Sequence, residues 1–155
     1  MKKTAARFVL VAALVGACGR EVELPAPQCE QGDTTWVCSD DTDLRSLDLH
    51  GAQLSFAELD GVNLEGVNLE GARLDNADLS HANLEGANLS NARLDKANLS
   101  HANLAGADLT WADLTGADLS YANLEGAIIN HAKMRNADTT GFTGQPTSPI
   151  PRAAR

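Results

Sequence analysis

From Leu44 onward an aliphatic residue returns at every fifth position without an insertion, through Leu49, Leu54 and Leu59 to Leu124, Ile129 and Met134. Two positions before each stands a second apolar site. It is Ala in sixteen of the twenty units that fill residues 42–141, and Thr42, Leu47, Val62 and Val67 in the others. The residue between them is polar in every unit but one, where Ile128 stands, and is usually Asn or Asp. A period of five fits neither regular element. On an α-helix each step of five advances by about 140°, which scatters the Leu row around the cylinder. On a strand successive Leu would alternate between faces. All of them are buried together only if the chain changes direction by a fixed angle in every unit, so that each Leu and each Ala faces one shared axis. Small Ala beside large Leu also suits a narrow interior, since a second bulky residue per unit would overpack it.

Runs such as Ala82-Asn83-Leu84-Glu85-Gly86 and Ala107-Asp108-Leu109-Thr110-Trp111 resemble the pentapeptide-repeat family. The resemblance implies an all-β fold, a right-handed quadrilateral β-helix with four units per coil. Twenty units would then make about five coils, stacked at the spacing of neighbouring strands into a rod roughly 24 Å long. The aromatic residues suit such an interior. There are only six, Phe8, Trp36, Phe56, Trp111, Tyr121 and Phe142, so the core is left to Leu and Ala.

The N-terminus has the pattern of an export signal. Lys2, Lys3 and Arg7 form a basic segment, and residues 8–15 form an apolar run. That run is far shorter than the ~20 residues of a membrane span, as expected of residues 1–17 acting as a signal peptide. The run ends in Val15-Gly16-Ala17-Cys18, which resembles the lipobox of bacterial lipoproteins. The resemblance implies cleavage before Cys18, lipid on its sulfur, and membrane attachment at the bacterial cell envelope. With Cys18 assigned to lipid, Cys29 and Cys38 remain. In an oxidising compartment they are expected to form one disulfide, with two free thiols as the alternative. Residues 18–28, with Pro25 and Pro27, are expected to be a tether and residues 29–41 a cap over the first coil. Residues 142–155, with Pro146, Pro149 and Pro151, are expected to be a disordered tail in which Phe142 covers the last coil.

Four units per coil place residues twenty apart in one column. Asn63, Asn83, Asn103 and Asn123 form an amide ladder on this reading. Glu65, Glu85 and Glu125 form an acidic column interrupted by Ala105. Arg73 and Arg93 should pair with Asp75 and Asp95 at the surface. His81, His101 and Tyr121 align after Gly61, which makes His81 and His101 a weak candidate for metal, with no third ligand beside them. Asp78, Ser80 and His81 have the residue types of a catalytic triad, but a flat solenoid face lacks the pocket and oxyanion donors that catalysis requires. No catalytic residue and no cofactor are expected. Phe56, Trp111 and Tyr121 fall on different columns, and Trp111 is the best single candidate for a binding hot spot.

The charge sorts the partner classes. A formal net charge of −9 argues against a nucleic-acid ligand. The best-known members of the family are acidic rods that mimic DNA and bind DNA gyrase. Residues 42–141 hold fifteen acidic and six basic side chains. That is about one net charge per 2.7 Å of rod, against about one per 1.7 Å of duplex. An exported chain is kept apart from a cytoplasmic enzyme, so the expectation is a non-catalytic scaffold that binds an envelope protein. Its candidate contacts are Trp111, Tyr121, Glu65, Glu85 and Glu125. Family members often dimerise end to end through a C-terminal element. Here that region is short and proline-rich, and a monomer is expected.

Overall fold

The computed structural model describes residues 29–31, 36–38, 44–45 and 48–147. The export signal, Cys18 and the tether through residue 28 lie outside the described residues, as do Leu47 and residues 148–155. Among the described residues no helix is long and apolar enough to cross a membrane. Two short strands come first, β1 (Cys29–Gln31) and β2 (Trp36–Cys38), paired antiparallel with Cys29 opposite Cys38.

Beyond them the chain winds into a coil in which every pairing joins residues twenty apart. The parallel bridges run from Asp48↔Asn68 and Gln53↔Arg73 to Asp118↔Asp138 and Asn123↔Thr143. Twenty residues per turn is four five-residue units, one to each side. Because the chain bends at each corner, a side has room for a single bridged residue and no extended strand develops.

Backbone hydrogen bonds run along the axis. The amide of each inward Leu donates to a carbonyl on the next coil, as in Leu84 N to Asn103 O at 2.8 Å. The amide of the polar residue before it donates to the previous coil, as in Asn83 N to Val62 O at 2.9 Å. Each corner is closed by a turn such as Ala82 N to Leu79 O at 3.1 Å. The backbone is thereby satisfied without helix or sheet, as burial requires.

The interior is built from the two apolar rows. Leu44 to Met134 on one row and Ala52 to Ala132 on the other are buried, including Val62 and Val67, which replace Ala in the early coils. The end is built differently. Thr139 and Gly144 stand where Leu belongs, and Phe142 stands where Ala belongs. Phe142 packs partly buried against the core, returning volume that the two missing Leu would have supplied. Gly144 is obligatory there, because a Cβ would lie 2.4 Å from Glu125 N and its φ is +83°. The ladder also runs past residue 141, where the repeat pattern fades. Thr143 N donates to Ala122 O at 2.8 Å and Thr147 N to Ala127 O at 2.9 Å. Residues 142–147 are therefore laid down on the preceding coil instead of belonging to the expected tail.

Candidate binding surface

Side chains outside the core occupy two kinds of place, the flat sides and the corners. On the sides, the Oδ1 of the Asn or Asp before a Leu accepts the backbone amide two residues on, as in Glu65 N to Asn63 Oδ1 at 3.2 Å, which holds the corner. Where the next coil places an Asn in the same column, the Oδ1 also accepts that side-chain amide. Asn83, Asn103 and Asn123 donate in turn to Asn63, Asn83 and Asn103 at 3.2, 3.1 and 3.0 Å. The expected ladder is present and continuous.

At each corner the third residue of the turn has a left-handed φ, which Gly and Asn adopt with least strain. One column consists of Gly66, Gly86, Gly106 and Gly126. The other three carry bulky residues in the same conformation. Phe56, His81, His101, Trp111, Tyr121 and His131 all have φ between 57° and 63°. Their rings are stacked wherever the next coil supplies a partner. His81 lies on His101 with centroids 5.0 Å apart, and His101 on Tyr121 at 5.1 Å. Trp111 lies on His131 at 4.1 Å with 12° between planes. Gly141 continues the Tyr121 column, and a Cβ there would lie 2.6 Å from the phenol ring. Phe56, Trp111 and Tyr121 are 60%, 58% and 56% exposed, on three different corners as their spacing implied.

The candidate metal pair is thus a parallel ring stack, and no group of three or more His, Cys, Asp or Glu able to hold a metal occurs among the described residues. Ser80 and His81 are separated in role. The Ser80 hydroxyl sits 2.6 Å from Asp78 Oδ1 and 3.0 Å from Asp60 Oδ1, while the imidazole stacks outward on His101. The three glutamates are each engaged within the rod. Glu65 meets Arg45 at 3.4 Å, Glu85 accepts Asn103 Nδ2 at 3.0 Å, and Glu125 accepts Gln145 N at 3.0 Å.

One side is electrostatically unlike the rest. It carries Arg73, Arg93, Lys133 and Arg135, four of the six basic residues of the repeats, together with Asp75, Asp95 and Asp113. Arg73–Asp75 and Arg93–Asp95 are each 3.5 Å apart, and Lys133 pairs with Asp113 across a coil. Asp75 is only 7% exposed, not the surface partner the sequence suggested. Burial pushes its pKa up, but the Ser55 hydroxyl at 2.9 Å and the Arg73 charge outweigh that, leaving it lowered. Asp113 behaves alike. Burial opposes its ionisation, while hydrogen bonds from Lys133 and Thr115 bring the net shift down. Between this side and the Trp111 corner lies an open groove of about 500 Å³, lined by Asn91, Arg93, Asp95, Trp111, Asp113 and Lys133 among others. Sequence reasoning passed over His131 and the Asp113–Lys133 pair, although the twenty-residue spacing that aligned His81 with His101 also aligns them.

The chain matches the family model for pentapeptide repeats in overlapping segments, residues 40–76, 72–110, 92–130 and 107–138. Among solved structures it is similar to Rfr23, a pentapeptide repeat protein from the cyanobacterium Cyanothece 51142, at 35% identity and a TM-score of 0.51, covering 60% of each chain. It also matches HetL, a pentapeptide repeat protein involved in heterocyst differentiation regulation from Nostoc, at 37% identity and a TM-score of 0.30, covering 68% of this chain and 56% of that one. A third match is QnrB1, a plasmid-mediated fluoroquinolone resistance protein, at 21% identity and a TM-score of 0.32, covering 60% of this chain and 58% of that one. The chain thus spans less than two thirds of the length of each of these. No curated protein matches it.

Proposed function

The chain belongs to the pentapeptide-repeat family, and from that premise we propose that it is a non-catalytic rod of about five right-handed coils that binds or scaffolds another protein at a bacterial cell envelope. The observation that carries this reading is the display of aromatic rings. Tyr121 is more than half exposed and backed by the His81–His101 stack, on a frame whose interior is almost wholly aliphatic. A rigid exposed aromatic is the material of a protein-binding hot spot. Glu65, Glu85 and Glu125 lie one side away as a charged rim, and Trp111 and Phe56 mark other corners. Reaction chemistry has little support, because Ser80 is tied to carboxylates and the His rings are stacked on each other.

Attachment rests on the sequence. The basic and apolar N-terminal segments followed by Val15-Gly16-Ala17-Cys18 support export and lipid on Cys18. The opposition of Cys29 and Cys38 across β1 and β2 supports a disulfide within the N-terminal cap. DNA mimicry is the weaker alternative. A duplex is negative on every side, whereas this rod gathers Arg73, Arg93, Lys133 and Arg135 on one side.

A single preparation tests the reading. Chain recovered from bacterial membranes should have the mass of a lipidated protein beginning at Cys18, with a bridge between Cys29 and Cys38 that disappears on reduction. It should co-purify an envelope protein that is lost when Tyr121→Ala is combined with Glu85→Gln. An unprocessed chain in the cytosol, or capture indifferent to those substitutions, contradicts it.

A further inference from the structure

The groove at Trp111 combines three features. First, the indole takes the left-handed corner conformation that it shares with Phe56, Tyr121, His81, His101 and His131. Trp111 has φ +63°, in a column whose earlier members are Gly51, Gly71 and Asn91. A bulky residue in the left-handed region is strained and persists because the surrounding coil holds it there, at this corner as at the others. Burial does not compensate, because 58% of the residue is exposed. Second, the ring is held in place. His131 stacks on one face at 4.1 Å, while on the other side the column offers only Asn91, whose short amide is too small to cover a bicyclic ring. Third, the groove is charged but balanced. Arg93 faces Asp95 at 3.5 Å and Lys133 faces Asp113, so every ionic group named there already has its counter-ion.

These features select a chemical class. A free anion or cation would have to displace an existing ion pair, and a purely apolar ligand would find one apolar wall opposite several fixed charges. What remains is an uncharged ligand with a flat C–H face and many hydroxyls. The electron-rich indole face takes the C–H groups. The guanidinium fork of Arg93 and the carboxylates of Asp95 and Asp113 take adjacent hydroxyls as donors and acceptors. The groove volume of about 500 Å³ lies within the usual range of ligand clefts, roughly 300 to 1,000 Å³. We propose that this groove is a saccharide-binding site in which Trp111 is the stacking platform for a neutral pyranose ring. Trp111 then serves a small ligand while Tyr121 and the glutamates serve a protein. The two readings fail separately, since one is read on Trp111 variants and the other on Tyr121 variants.

The test is calorimetric titration of the purified full chain with N-acetylchitotetraose, cellotetraose and maltotetraose, with tryptophan emission followed in parallel. At least one should bind with a dissociation constant on the order of 1 mM or tighter, as suits an open groove. Trp111→Asn should weaken that binding by about tenfold or more. It should not lower the melting temperature, because Asn91 already adopts φ +60° in the same column. Trp111→Phe should retain part of the binding, which separates loss of the platform from loss of the fold. Absence of binding by all three sugars, or wild-type binding by Trp111→Asn, overturns the assignment.

Discussion

A single five-residue unit asks opposite things of neighbouring residues. Leu104 is fully buried and its shape is set by the coils on either side. The corner residue is exposed and its backbone is set against its side chain. Truncation and relief should therefore change stability in opposite directions. Leu104→Ala is expected to cost about 2 to 5 kcal/mol, since a closed coil collapses poorly around a void. Phe56→Gly, at φ +63° and 60% exposed, is expected to add about 0.5 to 1 kcal/mol by removing left-handed strain, less the entropy that Gly adds to the unfolded chain. Denaturant unfolding of both variants measures this. Destabilisation by Phe56→Gly comparable to that of Leu104→Ala would mean that Phe56 carries structural contacts its exposure does not reveal.

The element that joins units is the ladder of side-chain amides, and its grammar follows from donor counts. Asn both accepts and donates, so it continues a ladder. An ionised Asp only accepts. It begins a ladder, as Asp48 does for Asn68 at 3.0 Å and Asp78 for Asn98 at 3.0 Å. It does not extend one upward, so the Asp78–Asn98 ladder stops at Asp118 and the Asn68–Asn88 ladder at Asp108. Two reciprocal changes test the rule. Asp118→Asn should add a rung to Asn98 and raise stability by about 0.5 to 1.5 kcal/mol, while Asn103→Asp should remove the bonds to Asn83 and to Glu85 and lower it by at least as much. Thermal melts of the two variants should move in opposite directions. Equal losses from both would show that the column responds to volume and not to donor count.

For the whole molecule, acid is the informative variable. Asp75 and Asp113 have pKa values below the ordinary 3.8 in the folded chain. Groups depressed by folding contribute stability that is complete above the unfolded value and vanishes as pH falls through the folded one. The melting temperature should therefore drop as pH is lowered beneath about 3.8, as these two carboxylates are forced to take up protons. In Asp75→Asn, which has no such proton to gain, the drop should be shallower. Parallel pH profiles for the two proteins would remove Asp75 from this account. The same side of the rod holds these two carboxylates, the basic cluster and the Trp111 groove, while Asp138, lowered by hydrogen bonds from the Thr140 hydroxyl and amide, lies on another side.

The five-residue spacing of Leu was enough to exclude helix and flat sheet and to require a coil, because no other backbone path buries every inward residue. The twenty-residue columns followed from that coil, and the Asn63 to Asn123 ladder, the His81–His101–Tyr121 alignment and the separation of the three exposed aromatics were all legible in them. Tertiary structure decided what depends on contact. It buried Asp75 against Ser55, where charge pattern suggested a surface pair. It carried the ladder to Thr147 although the Leu pattern ends earlier, because backbone bonds to the previous coil need no Leu and Phe142 fills the space. The twenty-residue spacing aligns Trp111 with His131 and Asp113 with Lys133, but the face-to-face contact of the rings and the closure of the ion pair depend on the distance between coils and the direction of side chains, which only the folded chain sets.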